Sequence, residues 1–404
     1  MSATATSGRV PREVVVVGAG LAGARTAQLL AGAGVPVTLL GAEGIAPYDR
    51  PPLSKELLTR PEPAWLSDEL GLDLDGVAVH LDRRATGLDL TADGVLVRTD
   101  AGPLAADATV VATGSSPLRP WPDALTLHTA ADAVRLRAAL GPGRRLVVVG
   151  AGWIGAEVAG VAAAAGTEVT VVEAAAAPLA APLGVEVGRL TVPWYETAGV
   201  RLLTGTKVRD VTAGRVSLED GTVIEADAVL AAIGVRPATR WLAATLPPGP
   251  GGALEVDAAL RVPGCAGRVL AVGDVAVRAS ARHGRVPGGH WDGALREPEV
   301  AVATLLGSHG PDGPADPAPY LWSDQLGHHL AAYGLPGAND EPVLRGDPAG
   351  PFSVVWFSPG SEVVTAVLAV DRPPDAAAAR RLFAGPALPR LGRDSAADPD
   401  LPLR

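Results

Sequence analysis

A glycine-rich turn between a run of valines and a helix-like segment occurs twice in this chain. The copies are EVVVVGAGLAGARTAQLL, residues 13 to 30, and RRLVVVGAGWIGAEVAGVAAAAGTEVTVVE, residues 144 to 173. Successive valines are typical of a strand buried on both faces, and the small residues that follow would let a helix pack closely on it. Two such units predict two nucleotide-binding domains.

The first copy has the pattern GxGxxG at Gly18, Gly20 and Gly23. The first glycine permits a tight turn, the second lets the backbone approach a pyrophosphate, and the third lets helix and strand pack closely. The N-H groups of the helix end would then face the phosphates. Glu43 follows the next apolar strand, residues 37 to 40, and is placed to accept hydrogen bonds from a ribose.

The second copy has the same pattern at Gly150, Gly152 and Gly155, followed by Glu173. Residues 174 to 177 are all alanine, and the next arginine is Arg189. A 2'-phosphate requires a nearby arginine and no competing carboxylate, so this site is expected to prefer NADH to NADPH. The alternative is that Glu173 is a solvated carboxylate at a strand end.

The remaining organisation also repeats. After each glycine motif, an antiparallel hairpin leads to a short apolar strand that ends at Gly114 or Gly234 and is followed by a proline. A cluster of Gly, Pro and Asp from Ser308 to Pro319 indicates a linker. The tail from Pro386 onward is rich in Pro, Arg and Asp, and we expect it to be poorly ordered.

Composition excludes several classes of function. The formal net charge of -10 argues against nucleic acid as a partner, and no apolar run is long enough to indicate a signal peptide or a membrane span, which predicts a cytoplasmic protein. One cysteine, Cys265, cannot form a disulfide framework, a zinc cluster or a redox pair within the chain. His328 and His329 are adjacent and cannot both face one metal, so no metal site is predicted. With these classes excluded, the chemistry that fits two dinucleotide sites in tandem is hydride transfer through a bound flavin.

Three further residues leave alternatives open. Asp274 follows an apolar strand and a glycine, where it could bind a polyol or cap a helix. Trp291 stands beside His290, where packing is the more ordinary role of a tryptophan. Lys55 lies in YDRPPLSKELL, residues 48 to 58, and the only other lysine is Lys207. If Ser54 capped a helix, Lys55 would occupy its first turn, where the helix end disfavours a cation.

Eight stretches together resemble a known family. They are VVVVGAGLAG, APYDRPPLSKELL, VVATGSSPLRP, VVVGAGWIGAEVA, AAIGVRP, AVGDVA, HWDGA and PYLWSDQLG. In this order, from about residue 13 to about residue 383, the chain is similar to the FAD-dependent NADH:ferredoxin reductases that serve cytochrome P450s and Rieske-type dioxygenases. The glycine motifs are shared with many flavoproteins, whereas YDRPPLSK and WSDQ are much more specific to this family.

The resemblance implies an α/β, glutathione-reductase-like fold with two dinucleotide-binding domains and a C-terminal α+β interface domain. The expected boundaries are 1–117 and 237–315 for the FAD-binding domain, 118–236 for the NADH-binding domain, and 316–404 for the interface domain with its mobile tail. The implied partner is a [2Fe-2S] ferredoxin, and the protein would be a monomer or a homodimer without nucleic-acid or membrane partners.

The resemblance also implies roles for individual residues. Arg50 would lie near the pyrophosphate of FAD, Asp274 would bind its ribityl chain, and Trp291 would lie near the pyrimidine edge of the flavin. The full FAD set is Gly18, Gly20, Gly23, Glu43, Arg50, Lys55, Thr113, Gly114, Asp274 and Trp291. The NADH set is Gly150, Gly152, Gly155, Glu173 and Gly234.

For the catalytic step, the family pattern places Lys55 beside flavin N5 and pairs it with Glu157 of the second glycine motif. The ammonium can stay charged beside the reacting ring, because the carboxylate offsets its desolvation cost. Hydride would move from the nicotinamide to the flavin, and electrons would then leave singly to the ferredoxin. Two alternatives remain. One is a related NADH-dependent flavoprotein enzyme with another acceptor, such as rubredoxin, a quinone or oxygen. The other, from a different class, is a redox-responsive flavoprotein resembling apoptosis-inducing factor, whose NADH binding governs interactions rather than turnover.

The chain departs from the family pattern at three positions. Glu297 replaces a glutamine in the helix after Trp291, and Pro298 follows it. A proline about two turns into a helix is expected to break or kink it, or to alter the flavin edge. His128 stands where the pattern has an arginine. We expect these changes to affect partner docking more than FAD binding.

Overall fold

The structure is a computed structural model that describes residues 10–55, 58, 59 and 61–404. The strands, numbered along the chain, are β1 (Val14–Val17), β2 (Val37–Leu40), β3 (Tyr48–Asp49), β4 (Ala64–Trp65), β5 (Val77–His80), β6 (Ala85–Leu90), β7 (Val95–Thr99), β8 (Leu104–Ala106), β9 (Ala108–Val111), β10 (Ser115–Pro117), β11 (Arg145–Val149), β12 (Glu168–Val172), β13 (Arg201–Leu203), β14 (Val208–Thr212), β15 (Arg215–Leu218), β16 (Val223–Glu225), β17 (Ala228–Ala231), β18 (Val235–Pro237), β19 (Leu254–Val256), β20 (Val269–Ala271), β21 (Ala276–Ser280), β22 (Gly284–Pro287), β23 (Tyr320–Gln325), β24 (His328–Gly334), β25 (Glu341–Gly346), β26 (Phe352–Phe357) and β27 (Val364–Val370).

The α-helices are α1 (Leu21–Gly32), α2 (Leu66–Leu70), α3 (Ala130–Arg137), α4 (Trp153–Ala164), α5 (Ala180–Leu183), α6 (Val185–Arg189), α7 (Val192–Thr197), α8 (Trp291–Leu306), α9 (Pro373–Leu382) and α10 (Arg393–Ala397). Short 3-10 helices occupy Pro51–Ser54, Arg240–Leu242, Pro250–Gly252 and Gly273–Val275.

The chain forms two compact units. The first comprises the residues up to 49 together with 64–116 and 236–319, and the second comprises 50–63, 117–235 and 320–404. The expected FAD-binding domain included residues 50–63, but this segment belongs to the second unit. The reason is that Ser54 and Lys55 both contact Glu157 on α4 of that unit. The expected interface domain falls in the second unit as well.

The first unit is built on a five-stranded parallel sheet with the order β20-β9-β1-β2-β5. Its central strand β1 is buried as the valine run predicts, since none of Val14–Val17 is more than 3% exposed. Helices α1 and α8 pack against each other within this unit. Two three-stranded sheets, β6-β7-β8 and β19-β21-β22, complete the unit.

The second unit repeats the strand, turn, helix, strand plan in a parallel sheet with the order β13-β12-β11-β17. Next to it in sequence, β14, β15 and β16 form the antiparallel hairpin structure that the turn residues predict. The C-terminal part of the unit is a five-stranded antiparallel sheet with the order β23-β24-β27-β26-β25. The expectation of two dinucleotide-binding units and a C-terminal α+β region is confirmed.

The C-terminal tail is ordered, so the prediction of a mobile tail is wrong. Its residues Leu391, Ala396 and Leu403 are buried. The side chain of Arg345 on β25 is 2% exposed and donates hydrogen bonds to the carbonyls of Ala396, Asp398, Pro399 and Leu401. A polar composition therefore does not leave this tail unpacked, because one buried guanidinium binds its backbone.

Candidate functional site

The first glycine turn has the geometry of a dinucleotide cradle. Gly18 has φ +114°, and a Cβ there would lie 2.2 Å from the carbonyl oxygen of Ala112. A Cβ on Gly23 would lie 1.7 Å from the oxygen of Gly18, so any side chain would push helix and strand apart. Around Gly20, the N-cap of α1, a Cβ would meet no atom within 4 Å. Open space in front of a helix N-terminus suits a pyrophosphate.

The second glycine turn repeats this arrangement. A Cβ on Gly150 would lie 2.4 Å from the oxygen of Ala232, and one on Gly155 would lie 2.0 Å from the oxygen of Gly150. Gly152, the N-cap of α4, again faces open space. Two separate cradles of the same shape fit two dinucleotides, as the duplicated motif predicts.

The acidic residues after β2 and β12 differ in their partners. Glu43 is exposed, and its Oε2 accepts a hydrogen bond of 2.5 Å from the hydroxyl of Tyr48. The carboxylate of Glu173 accepts backbone N-H groups from Ala151 at 2.6 Å and from Ala175 at 2.7 Å. Each oxygen of Glu173 keeps a second lone pair that a ribose hydroxyl could use. Glu173 is thus bound to its own glycine turn and is not a merely solvated carboxylate.

We predict that kcat/KM for NADH is about tenfold higher than kcat/KM for NADPH. The carboxylate of Glu173 repels a 2'-phosphate, and residues 174–177 offer no cation to bind it. Steady-state rates with both nucleotides measure the ratio. Ala174→Arg, at an exposed position beside Glu173, is expected to narrow it. Equal kcat/KM values for the two nucleotides in the unaltered protein would contradict the prediction.

Asp274 lies in the 3-10 helix that follows β20. Its carboxylate accepts hydrogen bonds of 3.1 Å from the hydroxyl of Ser115 and from the backbone N-H of Gly289. Asp274 therefore joins three segments of the first unit and is not the N-cap of its own helix, which is Val272. The neighbouring Thr113 donates from its hydroxyl to the carbonyl of Ala238 at 2.9 Å, and Gly114 has φ +65°.

Helix α8 begins at Trp291, after the N-cap His290. The indole Nε1 of Trp291 donates to Asp49 at 2.7 Å, and the ring packs against the core of the first unit. The Nδ1 atom of His290 is buried without a hydrogen-bond partner among the described residues, and burial lowers the pKa of its ring. An unpartnered polar atom beside a helix N-terminus fits a site where a cofactor supplies the missing partner.

Helix α8 is not broken at Pro298, so this part of the expectation is wrong, whereas a kink and an altered flavin edge stay predictions. Helix α8 runs as one element from Trp291 to Leu306 with Pro298 inside it. A proline there removes the hydrogen bond to the carbonyl of Ala294. Pro298 is itself buried, and the next turn places Val300, Ala301 and Val302 in the hydrophobic core. Tertiary packing of that turn therefore offsets the lost backbone bond.

Glu297, the other departure in this helix, is buried against the turn that holds Asp274. Its Oε2 accepts the backbone N-H of Gly273 at 2.7 Å, and its Oε1 lies 3.7 Å from Nε of Arg278. Burial raises the pKa of Glu297 to about 7, an effect that the Gly273 N-H and the Arg278 charge only partly offset. The charges of Asp274 and Asp292 add to the rise in pKa.

We predict that Glu297→Gln removes a pH dependence of stability. The folded protein keeps this proton up to about pH 7, whereas the unfolded chain releases it near pH 4.5, so the free energy of unfolding falls as pH rises between the two values. Glutamine keeps the Gly273 hydrogen bond without the charge. We expect the variant to be more stable by about 2–4 kcal/mol above pH 7, and the gain to vanish below about pH 4.5.

Urea unfolding of the flavoprotein across this pH range measures the effect. The matched control is Glu299→Gln on the same helix, whose carboxylate is 61% exposed and pairs with Arg25 at 3.1 Å. It is expected to change stability by less than about 1 kcal/mol at every pH. The same pH dependence in Glu297→Gln and in the unaltered protein would contradict the prediction.

Lys55 and Glu157 form the ion pair that the resemblance implies. Nζ of Lys55 lies 2.8 Å from Oε1 of Glu157, and the two side chains are 18% and 4% exposed. The hydroxyl of Ser54 donates to Oε2 of the same carboxylate, and the hydroxyl of Ser323 donates to Oε1 at 2.5 Å. The carboxylate is thus buried and held by two serines, and the ammonium is partly buried.

The possibility that Ser54 caps a helix that follows it falls on residues 56 and 57, which lie outside the described residues. Ser54 is the last residue of the 3-10 helix Pro51–Ser54, and Lys55 follows as its C-cap. At the C-terminal end of a helix, a cation is favoured and not disfavoured.

Arg50 is the N-cap of the same 3-10 helix, and its Nη1 donates to the carbonyl of His128. Its part in holding a pyrophosphate stays a prediction. Gly234 lies after β17 with φ +104°, and its carbonyl accepts the backbone N-H of Leu118 at 3.1 Å. Its place in the NADH site also stays a prediction.

The adjacent histidines face different acidic partners. Nδ1 of His328 lies 2.7 Å from Asp371, and Nδ1 of His329 lies 2.6 Å from Asp324. Within the part of the chain that the structure describes, no group of three or more His, Cys, Asp or Glu side chains could hold a metal ion. None of the helices among these residues is long and apolar enough to cross a membrane.

The sequence interpretation missed the serines around Glu157. The WSDQ stretch is specific to the family, but the sequence alone assigns no role to Ser323 or Gln325. A serine carries no periodic signal, and 166 positions separate Ser323 from Glu157. The sequence offers one indication of this contact, which is that two family-specific stretches, PPLSK and WSDQ, occur in the same chain.

Comparisons with known proteins agree with this geometry. The family described as Pyridine nucleotide-disulphide oxidoreductase matches residues 12–301, and the family described as Reductase C-terminal matches residues 320–404. The chain is 36% identical over 413 residues to the anthranilate 1,2-dioxygenase system ferredoxin-NAD(+) reductase component of Burkholderia cepacia, with 96% of this chain and 98% of the relative covered.

Two further similarities cover nearly the whole chain. Rhodocoxin reductase of Rhodococcus erythropolis is 33% identical over 416 residues, with 97% of this chain and 93% of the relative covered. The solved structure of the covalent putidaredoxin reductase-putidaredoxin complex matches with a TM-score of 0.82 and 30% identity, and it covers 92% of this chain and 93% of that one.

Proposed function

Because this chain belongs to the pyridine nucleotide-disulphide oxidoreductases and carries a reductase C-terminal domain, we propose that it is the ferredoxin reductase of an oxygenase system. It is an FAD-dependent oxidoreductase that takes electrons from NADH and passes them to a ferredoxin. We propose that this ferredoxin carries a [2Fe-2S] cluster and supplies a cytochrome P450 or a Rieske-type oxygenase. Its cytoplasmic location and its state as a monomer or a homodimer stay predictions.

One observation carries this proposal. The two stretches most specific to the family, YDRPPLSK and WSDQ, both bind the carboxylate of Glu157. Ser54 and Lys55 come from the first stretch and Ser323 comes from the second. Glu157 itself lies on α4, directly after the second glycine turn. Side chains from three distant parts of the sequence thus converge on one buried acid, as a catalytic arrangement requires.

The glycine turns and their acidic neighbours are the residues we assign to cofactor binding. Gly18, Gly20 and Gly23 would hold the pyrophosphate of FAD at the N-terminus of α1, and Gly150, Gly152 and Gly155 would hold that of NADH at α4. Glu43, Asp274 and Glu173 would accept hydrogen bonds from ribose or ribityl hydroxyls, since the two oxygens of a carboxylate offer about four lone-pair sites. Arg50, Thr113, Gly114, Trp291 and Gly234 complete the proposed sets.

When bound, FAD accepts a hydride from NADH and releases electrons singly, which a side chain cannot do. The protein supplies positive charge near the reacting atoms. We propose that the ammonium of Lys55 lies there, since Glu157 lowers the cost of burying it. The N-terminus of α8 adds a partial positive charge on the first unit. Because Cys265 is the single cysteine of the chain, no dithiol can take part in the reaction, and Cys265 itself is buried.

An NADH-driven reduction assay against a panel of ferredoxins tests the proposal. We expect fast reduction of cytochrome c only when a [2Fe-2S] ferredoxin is added. The same rate without any ferredoxin, or with a quinone or rubredoxin alone, would contradict it. Slow flavin reduction with a stable charge-transfer complex would instead support the redox-responsive class of flavoprotein.

A further inference from the structure

Among the described residues, three hydrogen-bond donors surround the carboxylate of Glu157, which is 4% exposed. They are the ammonium of Lys55 and the hydroxyls of Ser54 and Ser323. An ionised carboxylate accepts hydrogen bonds and donates none, so this set of donors matches the charged form. A buried charge is tolerated when it is both paired and fully hydrogen-bonded.

The direction of the bonds follows from counting hydrogens. The amide Nε2 of Gln325 donates to Oγ of Ser323 at 3.1 Å, so this oxygen is an acceptor on that side. Ser323 then donates its single hydroxyl hydrogen to Oε1 of Glu157, with an oxygen-oxygen distance of 2.5 Å. Ser323 is fully buried and Gln325 is 3% exposed, so no solvent competes for these bonds. The result is a directed chain from Gln325 through Ser323 to Glu157.

Ser323 and Lys55 share one oxygen of the carboxylate, Oε1. If the hydroxyl were absent, only the ammonium would satisfy that oxygen. The carboxylate would then be held by one donor fewer, and the ammonium of Lys55 would lose a fixed partner. The strand β23 of the C-terminal domain thus helps to fix the position of the Lys55 pair.

We propose that Ser323 is a positioning residue that holds the carboxylate of Glu157, and through it the ammonium of Lys55, in place for flavin reduction, with Gln325 fixing the direction of its hydroxyl. This inference rests on the proposed function, because it assumes that Lys55 acts at the flavin. It goes further in assigning to the C-terminal domain, besides any contact with a partner protein, a role in the reductive half of the reaction.

The test compares Ser323→Ala with a matched control, Ser353→Ala. Ser353 is also fully buried in the same C-terminal sheet and donates to a buried carboxylate, Asp375, at 2.8 Å. Both variants lose one hydrogen bond to a buried acid, and Ser323→Ala also leaves Nε2 of Gln325 without this acceptor, so it is expected to lose somewhat more stability. Only Ser323→Ala is expected to slow flavin reduction by NADH, about tenfold, in stopped-flow measurements without ferredoxin.

Two readouts separate positioning from a structural effect. The limiting rate of flavin reduction at saturating NADH should fall in Ser323→Ala while the apparent dissociation constant of NADH stays within about twofold, and both quantities should be unchanged in Ser353→Ala. The visible spectrum of the oxidised flavin without NADH should differ from that of the unaltered protein in Ser323→Ala but not in Ser353→Ala, because a displaced ammonium changes the charge near the flavin. Ser54→Ala, which removes the donor to the other oxygen, should change both readouts in the same direction.

The outcomes distinguish the inference from the proposed function. If the unaltered protein binds FAD but NADH does not reduce it, the proposed function fails whatever Ser323 does. If the unaltered protein reacts fast and Ser323→Ala keeps its limiting rate and its flavin spectrum, the inference about Ser323 is overturned while the proposed function stands. Equal slowing in Ser323→Ala and Ser353→Ala would also overturn it, because the effect would then be one of general stability.

Discussion

Replacing Lys55 with alanine is expected to leave FAD bound and to slow its reduction by NADH about 100-fold. The ammonium is the only cation within hydrogen-bonding distance of Glu157 among the described residues, at 2.8 Å. Its removal takes away a positive charge that we place near the reacting atoms, and it leaves a buried carboxylate without a counter-charge. Stopped-flow absorbance of the flavin measures the rate, and the ratio of flavin to protein absorbance measures retained FAD.

Lys207→Ala is the matched control, because Lys207 is the other lysine of the chain and is exposed. It should leave the rate unchanged, and an unchanged rate in Lys55→Ala would remove Lys55 from the mechanism. A double variant, Lys55→Met with Glu157→Gln, separates two roles of the ammonium. If Lys55 only neutralises Glu157, the double variant recovers the rate. If Lys55 acts directly on the cofactor, the double variant stays slow.

Replacing Arg345 with methionine is expected to lower the free energy of unfolding by about 3–5 kcal/mol and to expose the tail to proteases. The guanidinium is 2% exposed, and its Nε lies 2.9 Å from Asp375. It also donates to tail carbonyls, among them those of Asp398 and Leu401. Methionine fills similar space but leaves these acceptors and the carboxylate of Asp375 with fewer donors.

Urea unfolding and limited proteolysis check this prediction. The control is Arg390→Met, which removes an ion pair of 3.7 Å with Glu362 whose two side chains are 64% and 60% exposed. It should cost less than about 1 kcal/mol. Equal losses in the two variants, or a tail equally resistant to proteases in both, would contradict the assigned role of Arg345.

The loss in Arg345→Met should also depend on pH. Burial by itself raises the pKa of Asp375, but hydrogen bonds from Arg345, Ser353 and Arg372 outweigh burial and leave it below its usual value. A carboxylate with a lowered pKa adds stability above its unfolded pKa, and this contribution is lost as pH falls through the folded pKa. The difference in the free energy of unfolding between the unaltered protein and the variant should therefore become smaller at acid pH.

Much of the fold and of the cofactor cradles was predictable because the signals are local. The valines of β1 are buried as a run of that kind predicts, and Gly18 takes a left-handed conformation that a glycine tolerates. The pairing of Lys55 with Glu157 came from the family resemblance. The predictions of a helix break at Pro298 and of a disordered tail were wrong, because packing overrides what local composition indicated.

By itself, the sequence determined the two dinucleotide cradles, because turn sterics and strand burial depend on neighbouring residues and repeat with them. Only the tertiary structure decided which side chains complete the site. Ser54, Glu157 and Ser323 come from separate elements and meet at one carboxylate. A buried charge needs donors from whichever elements pack around it, and no short pattern encodes their identity. The same reason explains why Arg345, and not the composition of the tail, determines the order of the C-terminus.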